Sequence, residues 1–166
     1  MRGLIGPIGS GKSVACCIEI FLKAMEQTVY EGVRKSRWVV VRNTYRELVD
    51  TTMQTWFDWF PKHLGEYRAG DMRYVLRLPL DDGTLMELEL IFRALDRPDD
   101  VKKLLSLELT GGWLNEAREI PKPIVDMLIG RVGRYPAKRR GGCNWYGVIG
   151  DTNPPDTDHW WYRTFE

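Results

Sequence analysis

Eight residues near the start of the chain constrain its fold more than any other segment. They read "GPIGSGKS" and match the pattern G-x-x-x-x-G-K-[ST] at every fixed position. Glycines at these places let the backbone wrap closely round an anion, with successive N–H groups pointing inward. The apolar segment Arg2 to Ile5 precedes them as a short strand, and a helical pattern follows. The sequence therefore predicts a phosphate-binding loop made of Gly6, Pro7, Ile8, Gly9, Ser10, Gly11, Lys12 and Ser13.

The residue types in this loop assign the ligand more closely. The following helix directs its positive N-terminal end at the same anion. Lys12 is expected to reach the β- and γ-phosphates of a nucleotide, and the Ser13 hydroxyl is expected to bind magnesium. The alternative is a chance glycine turn before a helix, but the four fixed positions would co-occur in well under about 1% of chains this long. ATP and Mg²⁺ are the predicted ligands.

Composition limits the remaining classes. The chain has 166 residues, 43% of them hydrophobic and 28% charged, which suits one soluble domain with a core of its own. Its three cysteines show no disulfide or zinc spacing and are expected to be reduced, in the cytosol. No apolar run approaches the ~20 residues that span a bilayer, so no membrane partner is expected. The net charge of +1 decides nothing about nucleic acid.

Apolar periodicity predicts the architecture. Strand-like segments alternate with helical ones, which indicates an α/β fold with a mainly parallel sheet and helices on both faces. The first helix is expected to bury Val14, Ile18, Phe21, Leu22 and Met25. Two alternating segments flank Asp82-Gly83 and predict an antiparallel hairpin, and Thr44 with Glu47 forms a capping-box signature before the second helix.

Polar side chains follow two later strands. "LTGGWLNEARE" ends its apolar run at Asn115 and Glu116, and "GDTNPPD" places Asp151, Thr152 and Asn153 after another. Glu116 is the candidate that orients the attacking water, and Asn115 would contact a metal-bound water through its amide oxygen. Glu116 could instead only begin a helix. Thr152 and Asn153 are candidates for sensing the γ-phosphate or holding the water, with an ordinary turn as the alternative.

A basic segment supplies possible arginine fingers. "RVGRYPAKRR" carries five positive charges and no negative one. Arg131 and Arg134, at a predicted helix end, are the best-ordered candidates for stabilising the transferred phosphoryl group. Contact with DNA phosphates and plain solvation remain open for the same residues.

The order "GPIGSGKS", "VVVRNTYREL", "LTGGWLNEAREIP", "GRVGRYP" and "DTNPPDTDHWW" resembles the ATPase domain of tailed-phage large terminase subunits, the DNA-packaging motors. The resemblance implies a RecA-like P-loop NTPase of the additional-strand, catalytic-glutamate class. It assigns Lys12 and Ser13 to nucleotide and magnesium, Glu116 to catalysis, and Asp151 to Asn153 to a coupling motif. The first of these two polar positions is usually aspartate, but within this branch "WLNEA" looks like the usual sequence, so Asn115 is expected to be a variant rather than a lesion.

The resemblance also implies ATP hydrolysis that moves double-stranded DNA into a prohead. The expected partners are that DNA, a portal protein, a small terminase subunit and further copies in a ring, in the cytoplasm of an infected bacterium and transiently on the prohead. Residues 1–166 are expected to form one ATPase domain truncated at both ends, without the nuclease domain. Another P-loop enzyme such as a kinase, or a nucleotide-binding module without turnover, remain the alternatives.

Overall fold

The computed structural model describes residues 1–165, which form one eight-stranded sheet covered by helices. The strands are β1 (Arg2–Ile5), β2 (Val29–Tyr30), β3 (Val33–Arg42), β4 (Gly65–Arg68), β5 (Arg73–Pro79), β6 (Leu85–Ala94), β7 (Gly111–Asn115) and β8 (Gly147–Thr152). The α-helices are α1 (Lys12–Met25), α2 (Tyr45–Glu47), α3 (Gln54–Trp59), α4 (Lys122–Ile129) and α5 (Trp160–Phe165). A π-helical segment, Leu48–Met53, joins α2 to α3, and 3₁₀ turns cover Lys62–Leu64, Pro98–Leu104, Ala117–Glu119 and Lys138–Arg140.

The strand order places the phosphate loop beside the later polar motifs. The order is β1-β8-β7-β3-β6-β5-β4, with β2 antiparallel to β3. The first five strands of this order run parallel, and β5 and β4 add an antiparallel edge. Because β8 lies between β1 and β7, one additional strand separates the loop strand from the strand that leads to Glu116. The predicted α/β fold, its additional strand and its hairpin are confirmed; the short strands β2 and β4 were not predicted.

Strand β3 shows why the sheet is covered on both faces. Trp38, Val39, Val40 and Val41 are all fully buried. Trp38 and Val40 belong to the core under α1 and the helical stretch 45–59, whereas Val39 and Val41 belong to the core under α4 and α5. Successive residues of a strand point to opposite faces, so an uninterrupted apolar run requires a layer on each side.

Helix α5 completes the second of these cores. Trp161 is 2% exposed, and its indole lies against Gly3 and Gly150, which are register partners on β1 and β8. A Cβ at Gly3 would come within 2.6 Å of the indole, and one at Gly150 within 2.9 Å. The two glycines therefore form the surface on which this side chain packs.

The buried face of α1 differs from the prediction. Cys16, Cys17, Ile20 and Ala24 face the core, while Ile18 and Leu22 of the predicted stripe are 38% and 42% exposed. The small thiols let the helix lie close to the sheet, and free cysteine is among the most buried residue types. Burial raises the pKa of the Cys17 thiol to about 12 and that of Cys16 further still.

The helical stretch after Thr44 begins as predicted. Thr44 is the N-cap, because its hydroxyl accepts the Glu47 N–H at 3.3 Å, and α3 ends shortly before Pro61. The π-helical segment shifts the register between α2 and α3. As a result, Val49 is 37% exposed, whereas Thr52 is buried.

Candidate nucleotide-binding site

The loop between β1 and α1 has the backbone of an anion-binding turn. Gly9 and Gly11 have φ values of +77° and +78°, which residues with a Cβ rarely adopt. Gly11 is the N-cap of α1, and no side chain among residues 1–165 caps that end. The first N–H groups of a helix have no partner within it, so the start of α1 offers free donors and positive potential to a phosphate.

The Lys12 ammonium lies inside this loop. Its Nζ donates to the Gly6 carbonyl at 2.9 Å, to the Pro7 carbonyl at 2.8 Å and to Asn153 Oδ1 at 3.2 Å. Lys12 is thus held between the loop and the end of β8. Gly6 itself donates to the Thr152 carbonyl at 3.3 Å, which fixes the start of the loop to the same strand.

Ser13 contacts a carboxylate that comes from β8. The Ser13 hydroxyl donates to Asp151 Oδ2 at 2.7 Å. Asp151 is fully buried, and its carboxylate also accepts from the Trp113 indole N–H at 2.6 Å and from the Asn115 amide at 3.1 and 3.2 Å. Asn115 and Asp151 are register partners on β7 and β8, which explains why their side chains meet.

Asn115 presents a different atom from the one expected. Its Nδ2 faces Asp151 and also lies 3.1 Å from Ser13 Oγ, while its Oδ1 accepts from the Thr52 hydroxyl at 2.6 Å. A carboxylate only accepts hydrogen bonds, so the amide must turn its N–H₂ toward Asp151. The expectation that the amide oxygen of Asn115 faces a metal-bound water is therefore corrected: the side chain positions Asp151.

Glu116 faces the open side of the loop. It follows β7 with φ 51° and ψ 57°, a left-handed conformation that costs a non-glycine residue about 1 kcal/mol or more. Its carboxylate accepts from the Asn153 N–H at 3.3 Å and from the Asn153 amide at 3.4 Å. The loop, Thr55, Glu116 and Asn153 line an open cavity of about 350 Å³. The side chain is thus directed into the cavity and makes no capping hydrogen bond to the 3₁₀ turn that follows, within residues 1–165.

The structure does not bring every candidate to this cavity. The Thr152 hydroxyl is fully buried and accepts the Arg118 N–H at 3.4 Å, because alternate residues of β8 face opposite sides of the sheet. Arg131 and Arg134 bond through their backbones to Leu109, beyond the amino end of β7. A five-residue strand spans about 13 Å or more, so both arginines lie at the edge opposite the phosphate loop of the same chain.

Sequence reasoning missed three contributors. Asp151 was assigned only to the coupling motif, and Thr52 and Trp113 were given no role at the site. Arg42 also contributes, because it donates to the Asn115 carbonyl at 3.3 Å and pairs with the Glu47 carboxylate. The signal that could have identified Asp151 is that Asn115 and Asp151 are polar residues near the ends of two apolar strands, which become neighbours in the sheet.

The donors near Ser13 suit a magnesium ion. Mg²⁺ prefers oxygen ligands, keeps several waters and is usually held by one or two carboxylates together with phosphate oxygens. Ser13 Oγ and the Asp151 carboxylate are such donors, next to the free end of α1. Within residues 1–165, no group of three or more His, Cys, Asp or Glu side chains forms a closed metal cage. Ser13 Oγ and the Asp151 carboxylate are thus the residues that could hold Mg²⁺ together with phosphate oxygens.

The sequence is similar to one family of known proteins. Residues 2–166 match the sequence model of the family described as phage terminase large subunit. The PBSX phage terminase large subunit of Bacillus subtilis (strain 168) is 27% identical over 163 residues, covering 98% of this chain and 33% of that protein. This chain thus spans about a third of that relative's length.

Solved structures of low identity share the fold. The large terminase of a thermophilic bacteriophage, in complex with ADP, superposes with a TM-score of 0.70 at 14% identity, covering 99% of this chain and 36% of that one. The Thermus phage P74-26 large terminase ATPase domain gives a TM-score of 0.56 at 16% identity, and the match covers 99% of this chain and 62% of that one. In the part of this chain that the structure describes, no helix has the length and apolar character needed to cross a membrane.

Proposed function

This chain belongs to the phage terminase large subunit family, and on that premise we propose that it hydrolyses ATP to drive double-stranded viral DNA into a prohead. The observation that carries the proposal is that the Asn153 side chain hydrogen-bonds to both Lys12 and Glu116. The Asn153 amide accepts from Lys12 with its oxygen and donates to Glu116 with its nitrogen, beside the phosphate loop. A phosphate-binding cation and a candidate base thus face the same cavity.

Each of these groups has a step in hydrolysis. Glu116 orients the attacking water and takes its proton, while Lys12 and the N–H groups of the loop stabilise charge on the β- and γ-phosphates. Mg²⁺ bound with the nucleotide would be held on the Ser13 side and would neutralise part of the phosphate charge. The ADP complex of the thermophilic phage's large terminase supports a nucleotide as the ligand.

Coupling to DNA would begin at Asn153. This residue follows β8 directly, contacts both Lys12 and Glu116, and leads within seven residues to α5. Loss of the γ-phosphate changes the charge next to Lys12 and Glu116, so the Asn153 hydrogen bonds are the first that such a change would alter. Thr152 supports this arrangement by accepting the Arg118 N–H next to the Glu116 turn.

The basic segment is the candidate surface for contacts outside the chain. Among residues 1–165, the ion pairs within 4.0 Å include none from Arg131, Arg134, Lys138, Arg139 or Arg140. Unpaired cations can bind DNA phosphates without reading sequence, and an arginine can also reach the site of a neighbouring subunit. We propose both uses: Arg131 and Arg134 for a neighbour in a ring, and Lys138 to Arg140 for DNA.

The wider setting follows from the same family. The motor would act in the cytoplasm of the infected bacterium, docked on the portal of a prohead after a small terminase subunit has delivered the DNA. These partners and this location are part of the proposal, because the chain spans only about a third of the PBSX relative.

Glu116→Gln tests the assignment. We expect nucleotide affinity to be retained and ATP turnover to fall about 10²- to 10⁴-fold, which is the contribution of a positioned base. Glu108→Gln is the matched control, since Glu108 is exposed and lies before the amino end of β7. Lys12→Ala should lose nucleotide binding as well as turnover. Near-normal turnover by Glu116→Gln would refute the catalytic role.

The same assays separate the two alternatives. A nucleotide-binding module would bind ATP and Mg²⁺ in calorimetry without releasing phosphate. A kinase would transfer the γ-phosphate to an added acceptor instead of water. A packaging motor should release phosphate faster when double-stranded DNA is added, and this stimulation should weaken steeply with salt.

A further inference from the structure

A buried carboxylate near Ser13 lacks a cationic partner within the described part of the chain. Asp151 is fully buried, yet the ion pairs within 4.0 Å over residues 1–165 include none at this residue. Its hydrogen bonds come from neutral donors: a hydroxyl, an indole, both contacts of one amide and, at 3.9 Å, the Cys16 thiol. Buried charges in proteins are normally paired or bound to a metal, because leaving water costs several kcal/mol.

We propose that Asp151, on β8, supplies the negative charge on the magnesium side of the nucleotide site, where β7 offers only the neutral Asn115. The proposal rests on the proposed function, since the magnesium arrives with ATP. Asp151 Oδ2 is 2.7 Å from the Ser13 hydroxyl, the group that is expected to bind magnesium. The carboxylate thus lies where a ligand of Mg²⁺, or an acceptor for one of its waters, is needed.

The sheet register explains how the charge can come from the neighbouring strand. Asn115 and Asp151 are directly paired in the parallel β7–β8 ladder, at the carboxyl ends of both strands. Partners in a parallel ladder point to the same face, so a carboxylate at either position reaches the same space. Asp151 on β8 can therefore supply the carboxylate that position 115 of β7 lacks.

This assignment also explains the asparagine. With Asp151 present, an aspartate at position 115 would put two carboxylates about 3 Å apart, and such a pair does not ionise fully. Asparagine instead donates its amide to both oxygens of Asp151 and is held by Thr52 from behind. Asn115 is thus a positioning residue for the carboxylate.

The test measures how nucleotide binding depends on the metal. ADP affinity is titrated with and without Mg²⁺ for the wild type, Asp151→Asn, Asn115→Asp and the double variant, and Mn²⁺ binding in the presence of ADP is followed by electron paramagnetic resonance. We expect Asp151→Asn to need about 10- to 100-fold more metal, whereas its metal-free ADP affinity should not fall, because no repulsive carboxylate then faces the phosphates. The double variant Asn115→Asp with Asp151→Asn should recover most of the loss.

Controls keep the outcomes separate. Asp156→Asn makes the same chemical change at an exposed residue and should leave the metal requirement unaltered. Thermal unfolding of each variant tests whether the variant still folds. A wild type that binds no nucleotide would refute the proposed function. A wild type that binds it, together with an Asp151→Asn variant of the same metal requirement, would refute only the role of Asp151.

Discussion

Replacing each of two adjacent glycines in β7 by alanine should give very different losses of stability. A Cβ at Gly111 would lie 2.6 Å from two ring atoms of Trp38, and a Cβ at Gly112 would lie 2.6 Å from Leu128 Cδ2. Neither glycine has a positive φ, so alanine suits the backbone at both positions. The difference depends on how far each neighbour can move.

Trp38 cannot move easily. It is fully buried, and its ring stacks on Trp145 with centroids 5.3 Å apart and planes at 15°. Overpacking of a rigid core costs about 1–3 kcal/mol, and Gly111→Ala should fall in the upper part of this range. The end of the Leu128 side chain can change rotamer, and alanine lowers the entropy of the unfolded chain by about 0.4–1 kcal/mol. Gly112→Ala should therefore cost only about 0–1 kcal/mol.

Urea denaturation and thermal melting measure both costs. For a domain of this size, 1 kcal/mol corresponds to about 2–4 °C, so a cost of about 2–3 kcal/mol for Gly111→Ala should lower the melting temperature by about 4–12 °C. Trp38→Phe removes the ring atoms that the new methyl group meets, so in that background the cost of Gly111→Ala should fall by about 1 kcal/mol or more. An equal cost in both backgrounds, or a larger cost at Gly112, would refute the reasoning.

Three further predictions concern the cap, the thiols and the hairpin. Thr44→Ala should lower the free energy of unfolding by about 1 kcal/mol, because the N-cap hydrogen bond is lost, whereas Thr44→Ser should keep most of that stability. Urea titration measures both variants, and a Thr44→Ala variant as stable as the wild type would contradict the cap. Iodoacetamide at pH 8 should label Cys143 well before the buried Cys16 and Cys17, whose burial raises their pKa, and equal rates by mass spectrometry would contradict this burial. Hydrogen bonds from Thr84 and Arg34 lower the pKa of the Asp82 carboxyl to about 2. Since the folded pKa lies below the unfolded value of about 4, this stabilisation is present above about pH 4 and is lost as pH falls toward 2. Asp82→Asn should therefore flatten the pH dependence of unfolding in that window, and an unchanged slope would count against it.

The sequence predicted the location of the candidate site residues where a general rule of α/β sheets applies, namely that ligands bind at the carboxyl ends of the strands. Lys12, Glu116 and Asn153 were assigned to one site because ligands bind beyond the carboxyl ends of parallel strands, and in the structure Asn153 hydrogen-bonds to both Lys12 and Glu116. No knowledge of which strands are neighbours was needed for that expectation.

Contacts that depend on register could not be read in advance. The partnership of Ser13 with Asp151 requires β8 to lie beside β7 with position 151 opposite position 115. The contact of Thr52 with Asn115 requires the π-helical segment, because a regular helix would turn another residue toward the sheet. Arg131 and Arg134 were grouped with the catalytic residues from their charge and their spacing at a predicted helix end, which do not reveal at which end of the strands they lie.

The packing of Trp161 on two glycines has a consequence for relatives of this chain. Gly3 and Gly150 leave room for the indole only because neither has a side chain, so the three positions should vary together. A relative with alanine or a larger residue at either glycine position should carry a smaller side chain in place of the tryptophan. An alignment of the family tests this without any experiment: free variation at the three positions would mean that α5 docks differently among its members.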